Sequence, residues 1–138
     1  MRSTSAGPFE ARPGVPSTEP ILVVEDDPDF RDAIVQTIRS AGYRVETAAT
    51  GLTALDTLRW GLRPCLILLD LQMRGMTGWE FRAEQKRDPA LAGIPVVAMT
   101  AGYWKKSDLD DFTDRIAKPI DLDQLRAILD RHCSTEAT

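Results

Sequence analysis

The sequence predicts an α/β fold, a parallel sheet with helices on both faces, and two observations predict it. Short apolar runs rich in branched side chains alternate with segments of helical periodicity, which is typical of repeated βα units. Four of these runs end in polar residues, at the strand ends where ligands collect in an open parallel sheet. With 138 residues, the chain has room for one such domain.

The composition excludes several other classes of protein. A hydrophobic fraction of 43% and a net charge of −4 without a basic block fit a globular domain and argue against nucleic-acid binding. No apolar run reaches the roughly 18–20 residues that span a bilayer, so we expect no membrane insertion. Residues 1–20 lack the apolar core of a secretory signal. We therefore expect a cytoplasmic protein in which Cys65 and Cys133, which form no CxxC pair, are free thiols.

The first half of the chain predicts two βα units. Residues 1–19 have almost nothing apolar, and we expect a disordered leader there, a domain at 20–133 and a tail at 134–138. Asp27 and Thr50 are placed to cap helices. The predicted elements are, in order, a buried strand at 21–24, a helix from Pro28 that stops at Gly42, an edge strand at 43–47 and a helix that ends by Gly61.

The third strand is the run at 65–69, which ends on Asp70. A continuous apolar run of this length also suits a buried helix, but Pro64, Gly75 and Gly78 around it favour a short strand. The remaining predicted elements are a helix at 79–87 with Phe81 and Ala83 inward, a strand at 94–99, a short helix with a capping box at 107–110, a strand at 115–117, and a last helix capped by Asp121 with Leu122, Leu125, Ile128 and Leu129 on its inner face.

Polar residues follow the apolar runs at one edge of the predicted sheet: Glu25, Asp26, Asp70, Thr100 and Lys118. Neighbouring strands lie about 4.8 Å apart, so the three carboxylates would crowd together. Each like-charged pair costs on the order of 4 kcal/mol at about 4 Å and an effective dielectric of about 20. One lysine cannot neutralise that charge, whereas Mg²⁺ commonly binds one or two carboxylates together with a phosphate. The threonine hydroxyl and the lysine ammonium suit phosphoryl oxygens. The alternative is a capped, solvated sheet edge with ordinary ion pairs.

Four segments together are highly specific: ILVVEDD at 21–27, LILLDLQM at 66–73, VVAMTA at 96–101 and AKPID at 117–121. With them, residues 20–133 resemble the receiver domain of response regulators in two-component signalling. The resemblance implies a doubly wound, five-stranded parallel sheet in the order 2-1-3-4-5, as in chemotaxis regulators.

The resemblance also implies roles for the residues at the charged edge. Asp70 is the expected phosphate acceptor, and Asp27 remains a helix cap. The expected Mg²⁺ ligands are Asp26, Asp70, the backbone carbonyl of Gln72 and, through a water, Glu25. The residues expected to hold the phosphoryl group and respond to it are Thr100, Ala101 and Lys118.

Departures from the family pattern concern signal output. Arg74 stands where the family usually has proline, and Arg115 stands where it usually has an aromatic that swings inward on activation. The segment from Thr100 to Lys118 is also several residues shorter than is typical. We therefore expect a short or irregular fourth helix and an output surface formed by Tyr103, Trp104 and Arg115. The alternative for the two aromatics is that they cover the core where the helix is shortened. Burying Arg115 beside Thr100 would be costly without a carboxylate partner, for which Asp111 and Asp114 are the candidates.

The favoured function is that of a non-enzymatic phosphoacceptor. A histidine kinase or histidine phosphotransfer protein would donate a phosphoryl group to Asp70 with Mg²⁺, and an unidentified downstream protein would read the signal. The alternative is a pseudo-receiver, a protein-interaction module that works without phosphorylation. Phosphatases of the haloacid dehalogenase type also form an aspartyl phosphate, but they need a second Asp where this chain has Gln72.

Overall fold

The computed structural model describes residues 15–16 and 18–135, and within them it contains one five-stranded parallel sheet flanked by four α-helices. The strands are β1 (Ile21–Val24), β2 (Val45–Ala48), β3 (Leu66–Asp70), β4 (Val96–Thr100) and β5 (Asp114–Ala117), and the helices are α1 (Pro28–Ser40), α2 (Gly51–Arg59), α3 (Gly78–Lys86) and α4 (Leu122–Cys133). All neighbouring strands of this sheet are parallel, in the order β2-β1-β3-β4-β5. The predicted fold class and strand order are confirmed.

The central strands β1 and β3 are buried on both faces, which explains their continuous apolar runs. Successive side chains point to opposite faces, so Ile21 and Leu66 belong to one core cluster and Leu22 and Ile67 to the other. The first cluster includes buried residues of α1 and α4, and the second includes those of α2 and α3. The sheet is therefore covered on both faces, as expected.

Three of the four described α-helices begin at the capping residues that the sequence predicted, and α3 is capped by Thr77, which was not predicted as a cap. Asp27 accepts hydrogen bonds from the backbone N–H groups of Asp29 and Phe30. Thr50 caps α2 and Asp121 caps α4 in the same way. Each cap follows a strand or its loop, and each therefore fixes where the chain turns away from the carboxyl edge of the sheet.

The segment between β4 and β5 is irregular, as expected, and contains only one 3-10 turn, Lys106–Leu109. This turn starts earlier than the helix predicted at 107–110. The side chain of Asp108 accepts a hydrogen bond from the backbone N–H of Lys105, so the capping position is residue 105 and not residue 107. Two predictions of inward side chains were wrong. Ala83 is exposed. Leu122 is 56% exposed and faces a groove between α1 and α4, because the core contacts of α4 begin one turn later, at Leu125.

The prediction of free thiols was wrong, because Cys65 and Cys133 form a disulfide with their Cα atoms 5.4 Å apart. Cys65 precedes β3 and Cys133 is the last residue of α4. The two lie 68 residues apart in sequence, and the packing of α4 against the sheet brings them together.

The first and last segments that the structure describes also pair near this bond. Val15–Pro16 and Ser134–Thr135 form a short antiparallel pair that no pattern in the sequence predicted. The expectations for residues 1–14, 17 and 136–138 lie outside the described residues, and the domain limits 20–133 stay a prediction.

Candidate functional site

Three carboxylates meet at the carboxyl edge of the sheet. Glu25 and Asp26 follow β1 directly, and Asp70 is the last residue of β3, the strand paired with β1. One oxygen atom from each of the three lies within 4.8 Å of the others. Glu25 and Asp70 are buried, and Asp26 is partly exposed. The fold therefore brings together the acidic residues that the sequence singled out.

Lys118 lies against two of these carboxylates from the end of β5. Its Nζ is 3.0 Å from Glu25 Oε1 and 3.4 Å from Asp70 Oδ1. The ammonium also lies over the Phe30 ring, 4.4 Å from its centroid. The backbone N–H of Lys118 donates to the carbonyl of Thr100 at 2.7 Å, which holds the chain just after β5 against the end of β4.

The carboxyl groups of Glu25 and Asp26 have opposite electrostatic environments. Burial raises the pKa of Glu25, against the opposing effects of the Asp27 N–H, which donates to Oε2 at 3.1 Å, and of Lys118. The pKa of Asp26 is lowered, chiefly because the backbone N–H of Arg74 donates to its Oδ2 at 3.0 Å. The Arg74 side chain adds to this effect, with Nε 3.4 Å from the same oxygen.

Arg74 is the site residue that the sequence reasoning missed. It was noted only as a departure at a position usually held by proline. Proline has no backbone N–H, so a signal was present: any other residue there keeps a donor that can reach the acidic cluster.

The loop between β3 and α3 closes tightly over the end of β3. The Gln72 N–H donates to Asp70 Oδ1 at 3.2 Å, and the Gly78 N–H donates to the Leu71 carbonyl at 3.0 Å. A Cβ atom on Gly78 would lie 2.8 Å from Leu71 Cα and 2.9 Å from the Asp70 carbonyl oxygen. Only glycine permits this approach, which holds the Gly78 end of the loop against the end of the strand that carries Asp70.

Two of the residues expected to respond to a phosphoryl group, Thr100 and Ala101, lie at the end of the strand next to β3. Thr100 is the last residue of β4 and is buried, and β4 is the strand paired with β3. The exposed Ala101 follows it, and its carbonyl accepts from Trp104 Nε1 at 3.1 Å. The Trp104 ring packs edge-on against Trp79, with centroids 4.9 Å apart. Tyr103 is 90% exposed.

The Arg115 side chain forms an ion pair with neither of the two candidate carboxylates, Asp111 and Asp114. Among the described residues, Asp114 pairs with Arg131 and Asp111 pairs with Lys86. The Arg115 side chain is exposed instead. The desolvation cost that would have required a carboxylate partner therefore does not arise.

The donor set fits a hard divalent cation. Three carboxylate oxygens at close range suit Mg²⁺, which prefers oxygen ligands and commonly binds through one or two carboxylates. Sulfur and imidazole ligands are absent from this three-residue cluster. The site can therefore place a cation beside the buried Asp70 carboxylate, with the Lys118 ammonium next to it.

Residues 21–130 match the family model for the response regulator receiver domain. The chain belongs to this family. Receiver domains are signalling modules of two-component systems, they bind Mg²⁺ at an acidic site, and they interact with histidine kinases or phosphotransfer proteins. No α-helix within the described ranges, 15–16 and 18–135, has the length and apolar character needed to cross a membrane.

The relatives of this receiver domain include a protein of similar length and longer proteins. It is 31% identical over 117 residues to the protein Rrf1 of Nitratidesulfovibrio vulgaris, covering 85% of this chain and 84% of Rrf1. It is 32% identical over 111 residues to the DNA-binding dual master transcriptional regulator RpaA of Synechocystis sp., covering 78% of this chain. That match takes in 46% of RpaA, so this chain spans about half the length of that relative.

Solved structures show the same fold. Comparison with the chemotaxis protein CheY4 of Vibrio cholerae gives a TM-score of 0.75 at 26% sequence identity, and the match covers 84% of this chain and 99% of CheY4. The receiver domain of the sensor histidine kinase PA1611 of Pseudomonas aeruginosa has a TM-score of 0.76 at 29% identity, covering 84% and 98%. That structure holds a magnesium ion coordinated in its active site cleft.

Proposed function

We propose that this receiver domain is a phosphoacceptor that takes a phosphoryl group onto Asp70 from a histidine kinase or a histidine phosphotransfer protein. One observation carries the proposal. The carboxylate of Asp70 is buried within 4.8 Å of two other carboxylates, and a lysine ammonium lies 3.4 Å from it. A sheet edge with ordinary ion pairs gives no reason to bury two carboxylates against one lysine with a third carboxylate beside them, because that arrangement leaves a net negative charge.

The ligands proposed for Mg²⁺ are Asp26, Asp70, the Gln72 carbonyl and, through a water, Glu25. When bound, Mg²⁺ would offset the charge of the carboxylates and polarise the phosphoryl oxygens. The acidic cluster supports this assignment, as does the magnesium ion in the PA1611 receiver domain.

The residues of the chain supply the positioning for in-line transfer. The Gln72 N–H and the Lys118 ammonium both lie against Asp70 Oδ1 and fix the rotation of the carboxylate. In the transfer, the P–N bond to the donor histidine breaks as a P–O bond to Asp70 forms, and the imidazole leaves with a proton. Lys118 and the Thr100 hydroxyl are proposed to hold the phosphoryl oxygens afterwards, beside Ala101.

The signal is proposed to leave through the segment at 102–113. A groove of about 290 Å³ begins at Thr100 and continues beside Tyr103, Trp104 and Arg115. Closure of Thr100 onto a phosphoryl group would pull on Ala101, whose carbonyl holds Trp104. Arg115 has no ring that could swing inward, so a downstream protein is proposed to read the Tyr103, Trp104 and Arg115 surface instead. The domain is proposed to act in the cytoplasm, where phosphoryl donors derived from ATP are available.

Labelling with phosphoramidate followed by intact mass measurement tests the proposal. The protein should gain one phosphoryl mass with Mg²⁺ and none with a chelator, because transfer needs the cation to neutralise charge. Asp70→Asn should abolish the gain. Asp56→Asn, which alters an exposed carboxylate on α2, should label like the wild type. A protein that folds and binds Mg²⁺ yet takes no label would be a pseudo-receiver, and the proposal would fail.

A further inference from the structure

One residue, Arg74, supplies two donors to a single oxygen of the acidic cluster. Its backbone N–H lies 3.0 Å from Asp26 Oδ2, and its guanidinium Nε lies 3.4 Å from the same atom. The side chain of Asp26 is 21% exposed, whereas that of Arg74 is 91% exposed. The arginine therefore reaches the cluster from the solvent side, 48 residues along the chain from its partner.

These contacts change the charge at the site before any metal ion arrives. Three carboxylates contribute three negative charges, and Lys118 offsets one of them through Glu25 and Asp70. Arg74 offsets a second at Asp26. The chain's own cations thus already pair with every carboxylate that a divalent cation would use.

A cation that takes Asp26 as a ligand must share or remove the donors on Oδ2. The guanidinium carries a positive charge, so it also repels a metal ion placed at the cluster. Its exposure makes it easy to displace, because an exposed ion pair is weak and its side chain has alternative positions in water. The backbone N–H is different, since it moves only when the loop after β3 moves.

We propose that Arg74 is an internal competitor of Mg²⁺, so that metal binding displaces its guanidinium from Asp26 and the domain binds Mg²⁺ more weakly than it would without this side chain. The inference rests on the proposed metal site. It gives Arg74 an indirect role, through Asp26, in how tightly the domain binds Mg²⁺.

Calorimetric titration of the whole chain with MgCl₂ tests the proposal through a series at position 74. Arg74→Ala and Arg74→Gln remove the guanidinium and keep the N–H, and Arg74→Pro removes both donors. Arg87→Ala is the matched control, because Arg87 is also an exposed arginine but pairs with Glu84 on α3. It loses the same charge without touching the cluster.

We expect Arg74→Ala and Arg74→Gln to bind Mg²⁺ about two- to five-fold more tightly than the wild type, as the loss of an exposed ion pair implies. Arg74→Pro should bind at least as tightly as Arg74→Ala, and Arg87→Ala should match the wild type. The gain should shrink at high salt, because the guanidinium is exposed to screening.

Three results would overturn the inference. One is equal or weaker binding by Arg74→Ala and Arg74→Gln, and another is an equal gain in Arg87→Ala, which would show an effect of net charge alone. In both cases Mg²⁺ still binds, so the proposed function stands. The third result is no Mg²⁺ binding by any folded variant, which removes the metal site and with it both proposals.

Discussion

The two ends of β3 differ in the forces that act on them. At the carboxyl end, Asp70 lies in a cluster of three carboxylates that repel one another and are only partly paired by Lys118. At the amino end, Cys65 is bonded to Cys133, and the side chains between the two ends are fully buried. A buried group of like charges reduces stability, whereas a cross-link and apolar burial increase it. The reactive edge therefore depends on the rest of the strand for its stability, so chemistry and stability should respond to different changes.

The disulfide at the amino end gives the largest expected effect. Reduction should lower the free energy of unfolding by about 2–4 kcal/mol, because a cross-link restricts the unfolded chain. The cysteines are 68 residues apart, so the closed loop is long. Urea denaturation with and without reductant measures the change, and the affinity for Mg²⁺ should not move.

The double variant Cys65→Ala, Cys133→Ala is the control, since its denaturation curve should not respond to reductant. Two titratable thiols in the folded protein before reduction, with superimposed curves, would contradict the disulfide. Such a result would restore the expectation of free thiols.

Lys118→Ala tests the carboxyl end and should slow labelling by phosphoramidate by at least about ten-fold, because hydrogen bonds to charged groups contribute roughly 1.5–3 kcal/mol. The variant should stay folded, since its ammonium lies at a partly exposed edge and its loss opens no large core cavity. Stopped-time mass measurements give the rate, and thermal melting gives the stability.

Lys86→Ala, which breaks an exposed ion pair with Asp111, is the matched control and should label at the wild-type rate. A large drop in melting temperature for Lys118→Ala with an unchanged labelling rate would make Lys118 a structural residue. The carboxyl end of β3 would then contribute to stability rather than to chemistry.

Thr100→Ala should have a smaller effect, about two- to ten-fold on how fast the phosphoryl group is gained or lost, because the hydroxyl donor of Thr100 is uncharged whereas the Lys118 ammonium is charged. Thr100→Ser keeps the hydroxyl and should behave like the wild type. Loss of label measured over time by mass compares the three proteins. If Thr100→Ser and Thr100→Ala were equally impaired, the methyl group rather than the hydroxyl would matter.

The smallest expected effect is a change in the emission of Trp104 when Mg²⁺ and beryllofluoride occupy the site. Trp104 donates to the Ala101 carbonyl, so movement of Thr100 should reach its ring. The measurement needs a background of Trp60→Phe and Trp79→Phe, in which a ring remains beside Trp104 at position 79. If beryllofluoride is shown to bind and the emission of Trp104 does not change, the proposed output route is wrong.

The sequence predicted the carboxyl end of β3 far better than the amino end. The pair Glu25 and Asp26 comes directly after one apolar run and Asp70 directly after another, and parallel strands bring such positions together. Local spacing was therefore enough to find them. The caps at Asp27 and Thr50 were found for the same reason, since a cap acts within three residues.

The contacts that the sequence did not predict join segments that are far apart along the chain. Cys65 and Cys133 become neighbours only after α4 packs on the sheet. Arg74 reaches Asp26 only because the loop after β3 folds back over β1. Leu122 fits the apolar period of α4 but lies in its first turn, where the groove toward α1 leaves it exposed.

Borohydride trapping of the phosphorylated protein tests the central claim most directly. Borohydride reduces an acyl phosphate and converts the labelled aspartate to homoserine, which peptide mapping by mass spectrometry locates. We expect homoserine at position 70 alone, in protein treated with phosphoramidate and Mg²⁺ but not in protein treated with phosphoramidate and a chelator. Homoserine at Asp26 or at any other aspartate instead, or an equal yield without Mg²⁺, would contradict it.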